Sequence, residues 1–126
     1  MVRLLLLYVG IFALGFVFYP SAAQAVDSPP PVFFSTIPDL PIMQGVHELP
    51  DHAVMFDKPA GRIIESVAQV DSVTWPQIQS YYKAALPQLG WALLSEDIYT
   101  RGGEVLRLEF EEIEGEYFLR IVLAPR

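Results

Sequence analysis

The sequence predicts an α+β domain: a mainly antiparallel sheet in the order β-β-α-β-β-β-β, with one amphipathic helix packed on one face. Three observations predict it. Ile78, Tyr81, Tyr82, Ala85, Leu86 and Leu89 recur at the spacing of a single helical face. Around that segment lie short runs rich in Val, Ile, Leu and aromatic residues, several alternating with polar residues at period two. Apart from the helix, the links between these runs are too short for crossovers, so neighbouring strands must run antiparallel.

The chain has 126 residues, a length for one domain. Residues 1–25 read as a secretory signal peptide outside the fold. Arg3 supplies a positive charge, residues 4–18 are uncharged and strongly apolar, and Ala23-Gln24-Ala25 has the small-x-small form of a cleavage site, with Ala23 and Ala25 as its small residues. The alternative is an inner-membrane anchor through residues 4–18, but that run is shorter than the ~20 residues that span a bilayer comfortably. Export and cleavage place the mature protein in the periplasm or outside the cell.

Residues 26–38 read as an extended linker, because Asp27-Ser28-Pro29-Pro30-Pro31 favours polyproline geometry and offers few ladder donors. Val32-Phe33-Phe34 is too apolar for a pure spacer. It either docks on the domain or is a short binding segment. The domain proper is expected over 39–126. Pro41 and Gly45 punctuate an extended arm, and residues 47–52 form a further turn region.

A first strand follows at 53–57, a hairpin link at Lys58-Pro59-Ala60-Gly61, and a second strand at 62–70. Ile64, Ser66, Ala68 and Val70 form a small-residue face that a helix can approach closely. Ile63, Glu65, Val67 and Gln69 form a mixed face, and which of the two is buried stays open. Thr74 or Ser72 can cap the helix, and Pro76 falls in its first turn, where a missing amide hydrogen costs least. Pro87 disfavours helix through Leu86, and Gly90 can close the segment with a left-handed residue.

Strands then follow at 91–94, 98–101, 104–112 and 116–123, with Gly102-Gly103 and Glu114-Gly115 as tight turns. Leu106, Leu108 and Phe110 share one face of their strand, as do Tyr117, Leu119, Ile121 and Leu123 of theirs.

Three segments carry a resemblance: Asp39 to Gly45 (DLPIMQG), Phe56 to Glu65 (FDKPAGRIIE) and Leu86 to Trp91 (LPQLGW). Together they resemble short secreted proteins of alphaproteobacteria that form a domain of unknown function, and the resemblance covers almost all of the mature chain. It implies an exported bacterial protein with a single α+β domain. It implies no catalytic residue.

Composition excludes several functions. There is no cysteine, hence no disulfide framework, thiolate zinc site, thiol nucleophile or cysteine-linked lipid. The formal net charge is −7, one unit more acidic once Arg3 is lost, which argues against nucleic acid and anionic lipid as partners. No serine lies in a nucleophile elbow, and Gly102-Gly103 lacks the Lys-Ser/Thr of a phosphate loop.

His47 and His52 are the only histidines. With Glu48 and Asp51 they are the one candidate metal or acid–base set, an incomplete one. Glu109, Glu111, Glu112, Glu114 and Glu116 lack a calcium-loop pattern and read as a solvated strand face, partly paired with Arg107. Phe33, Phe34, Trp75 and Tyr99 are expected to pack as core, or, where left exposed, to form an apolar surface for a partner.

No cofactor is expected. The leading functional expectation is a non-catalytic exported domain that binds a protein or envelope component. The alternatives are a small envelope metal binder or enzyme using His47 and His52, and a membrane-anchored accessory subunit with a retained leader.

Overall fold

The computed structural model describes residues 28–126. The signal-peptide and cleavage-site expectations lie outside the described residues. Seven strands form a single sheet: β1 (Val46–Glu48), β2 (Val54–Lys58), β3 (Gly61–Val70), β4 (Ala92–Ser95), β5 (Ile98–Arg101), β6 (Glu104–Ile113) and β7 (Glu116–Pro125). One helix, α1 (Trp75–Gln88), lies between β3 and β4. The sheet order is β1-β3-β7-β6-β5-β4, with β2 also on β3, and every pairing is antiparallel. The expected α+β class is therefore the observed one.

Helix α1 is the one long connection. It carries the chain from β3 to the far edge at β4, and four strands joined by tight turns then return to β3. Those turns form where left-handed conformations are available. Gly102 and Gly103 have φ of 54° and 82°, and Glu114-Gly115 has 53° and 81°.

The extra strand is β1. Residues 46–48, read from the sequence as the end of the arm and the start of the turn region 47–52, pair with Ala68–Val70. A 3-10 turn at Pro50–His52 then steps the chain along, so that β2 takes the other end of β3. The burial pattern of β3 resolves its two-faced sequence. Ile64, Ser66 and Ala68 are at most 1% exposed, and the Glu65 face meets solvent. Thr36 lies over Ser66, and the two hydroxyls hydrogen-bond. Some of the space left by the small side chains is thus taken by the N-terminal segment, rather than by the helix.

The expected linker ends earlier than residue 38. Phe34 and Ile37 are each 1% exposed and belong to the core. Residues 33–41 close on themselves: Phe34 N–H donates to Leu40 O (3.0 Å), Leu40 N–H to Ile37 O (2.9 Å), and Phe33 bridges Pro41. Apolar burial outweighs the extended preference of the preceding prolines.

Thr74 is the helix cap and forms a full capping box. Its Oγ1 accepts from Gln77 N–H, and its own N–H donates to Gln77 Oε1 at 2.8 Å. Ile78, Tyr82 and Leu86 are fully buried at successive turns. The helix does not stop at Leu86, as Pro87 suggested, but runs through Pro87 to Gln88. Proline here removes only a donor near the last turn, and Lys83, whose carbonyl loses that partner, is exposed. Burial of Leu86 holds the residue before proline helical. Gly90, at φ 87°, then ends the helix as expected, and Trp91 N–H returns to Leu86 O at 3.1 Å.

Tyr82 ties helix to arm. Its ring is fully buried and its hydroxyl donates to Pro41 O at 2.9 Å. Burial, reinforced by neighbouring Tyr81, holds its phenol pKa well above the usual range, and burial also raises Tyr81 and Tyr99. A raised folded-state pKa means the stabilisation is complete below the unfolded value of about 10 and is lost as pH climbs toward the folded value. Urea midpoints measured from about pH 8 to about pH 11 are therefore expected to be flat at first and to fall above about pH 10. Tyr82→Phe should flatten that fall. A fall of equal steepness in the variant would place its origin elsewhere.

Candidate functional site

The residues singled out from the sequence do not converge. His47 is exposed on β1, and His52 is exposed in the 3-10 turn. Glu48, one of the acids expected beside them, is committed to Ser35: its carboxylate accepts from Ser35 N (2.9 and 3.1 Å) and Ser35 Oγ (2.8 Å). Among the described residues, no group of three or more His, Asp or Glu side chains is placed to hold a metal ion.

The aromatic set divides. Phe34 and Tyr99 are core residues, at 1% and 2% exposure. Phe33, beside Phe34, is exposed. Trp75 packs against the core and stacks on Phe110 with ring centres 5.3 Å apart, and Phe110 stacks in turn on Tyr117 at 5.4 Å. Trp75, Phe33 and Tyr99 therefore do not make one surface patch.

The outer face of the sheet carries charge pairs, as the glutamate pattern predicted, with a different central partner. Arg120 of β7, not Arg107, bonds Glu111 through Nη2 at 3.1 Å. Its buried Nε sits 3.2 Å from Glu65 Oε1 without the alignment of a hydrogen bond. Arg107 pairs with Glu109 at 3.8 Å. These half-exposed pairs contribute little stability each and blunt the face against unspecific association.

The surface that sequence reading missed is β2. All five of its residues are exposed, and Val54, Met55 and Phe56 are 41%, 56% and 58% exposed. Its pairing with β3 closes through the two-residue turn Pro59-Ala60, with Lys58 opposite Gly61. That register makes Lys58–Gly61 a hydrogen-bonded pair, so Val54, Phe56 and Lys58 spend their backbone groups on β3. Met55 and Asp57 turn theirs outward, where β2 pairs with no further strand among the described residues. The signal was present in the sequence: Val54-Met55-Phe56 is apolar at three successive positions, so a strand there must turn apolar side chains to both of its faces.

Such an edge offers alternating donors and acceptors with apolar side chains above and below, the chemistry that captures another extended strand. Pro59 limits the ladder at one end.

No protein-family model, curated protein or solved structure matches the chain. Among the described residues no helix is long and apolar enough to cross a membrane.

Proposed function

We propose that this chain is an exported, non-catalytic domain that binds an envelope protein by adding an extended segment of that protein to the edge strand β2. The observation that carries the reading is that all five residues of β2 are exposed, three consecutive ones of them apolar. An unpaired strand edge is satisfied best by another backbone, which fixes the chemistry of the occupant as extended peptide. The leader-like N-terminus and the resemblance to short secreted proteins support export. The acidic net charge supports a protein partner over nucleic acid.

The test is capture from the cell envelope with wild type and with Met55→Pro. Proline at 55 removes an outward N–H and leaves the β3 ladder intact, so the variant should fold with a melting temperature close to wild type. Wild type is expected to retain a reproducible partner and to gain hydrogen-exchange protection at the Met55 and Asp57 amides on binding. The variant should lose that partner. Equal capture by both proteins, or none by wild type, rejects the edge as the binding site.

A further inference from the structure

We propose that the groove between helix α1 and the β4–β5 hairpin is a binding site for a small zwitterionic molecule of dipeptide size. The groove has a volume of about 490 Å³, within the range of small-molecule sites. It lies at the opposite side of the sheet from β2, so the two proposals stand independently.

The first observation is Tyr99. It is 2% exposed and lines the groove, yet its hydroxyl has no hydrogen-bond partner among the described residues. The ring is buried but the hydroxyl oxygen is not, so it takes its partner, water or a ligand, from the groove. Burial, and then the charge of Asp97, raises the Tyr99 pKa, so the hydroxyl stays a neutral donor.

The second is a fixed carboxylate. Asp97 sits in the left-handed region at φ 59°, its carbonyl accepts Leu108 N–H at 2.9 Å, and Gln79 Nε2 lies 3.0 Å from each of its carboxylate oxygens. The single amide group leaves lone pairs free on that carboxylate.

The third is unpaired charge of both signs. Lys83, one helical turn beyond Gln79, and Glu96, beside Asp97, also line the groove, and neither forms an ion pair among the described residues. Leu93, 52% exposed, adds an apolar wall.

A ligand with both an ammonium and a carboxylate meets this set. The ammonium is taken by Asp97 and Glu96, and the carboxylate by Lys83. Tyr99 donates to a carbonyl between them, and an apolar side chain rests on Leu93. A simple anion would face two carboxylates, and a simple cation would face Lys83.

The probe is L-alanyl-L-leucine, titrated into the whole protein and followed by amide chemical shifts. N-acetyl-L-alanyl-L-leucine amide, which lacks both charges, is the control. The expected result is saturable shifts at Gln79, Ser80, Lys83, Glu96 and Tyr99 with a Kd below about 1 mM, and no saturable shift with the blocked peptide. Lys83→Gln and Tyr99→Phe should each weaken binding about tenfold. Tyr99→Phe keeps the buried ring, so its melting temperature should match or exceed wild type, which separates lost binding from lost folding. Absence of shifts at about 1 mM dipeptide, equal binding of the blocked peptide, or unchanged affinity in Tyr99→Phe overturns the proposal.

Discussion

Trp91→Ala is expected to destabilise the domain by about 3–5 kcal/mol. Trp91 is 3% exposed and stands where the chain leaves the helix for β4. Its backbone amide binds Leu86 O, so the indole is anchored at the helix end. The Arg101 guanidinium lies 4.3 Å from the ring centre, and the same side chain donates to Leu89 O at 2.9 Å and to Asp39 at 2.6 Å. Deleting the indole leaves a cavity and also takes away the surface that orients Arg101. Three segments then lose a common tie: the helix end, the arm at Asp39 and strand β5. A domain of this size should lose more than about 12 °C in melting temperature. Trp91→Phe, which keeps a ring under the guanidinium, should lose much less. Thermal unfolding followed by circular dichroism decides it, and an unchanged midpoint for Trp91→Ala would show that the packing around the helix end is not as described.

Phe34→Ala is expected to cost a similar amount, about 3–5 kcal/mol, whereas Phe33→Ala should stay within about 0.5 kcal/mol. The two adjacent residues have the same side chain and opposite environments, at 1% and 45% exposure. The comparison separates a docked segment from a linker, for which both changes would be neutral. Phe34 is held between the closed loop of residues 33–41 and the sheet, where Ile37 and Leu40 are buried beside it in the same core. Urea midpoints at unchanged m-value are the appropriate measure. Equal, small effects at both positions would return residues 26–38 to the status of a spacer.

Much of the fold was legible because its signals are local. A cap at Thr74 or Ser72, the apolar face of Ile78, Tyr82 and Leu86, and the alternation of Leu106 and Leu108 depend on residues a few positions apart. Backbone conformation restricts turns in the same local way, which is why Gly102-Gly103 and Glu114-Gly115 could be placed. The apolar character of both faces of β2 was written in three successive residues. The strand's place at the edge was not, because edge or centre depends on which strands pair, and β1 and β2 share one side of β3.

The candidate sites were harder to read, for a related reason. Whether Tyr99 is core or surface depends on residues across the fold, and it proved to be both: a buried ring with a hydroxyl left for the groove.

Sequence alone was enough for six of the seven strands, the helix, a cap at Thr74 or Ser72 and the tight turns, since each follows from the spacing and backbone preferences of neighbours. Tertiary structure alone chose the buried face of β3, drew Phe34 and Ile37 into the core, and carried the helix through Pro87. Those outcomes rest on contacts between distant positions, such as Tyr82 with Pro41 and Arg101 with Asp39, 41 and 62 residues apart. No local pattern encodes such contacts, because their free energy exists only once the whole core has closed.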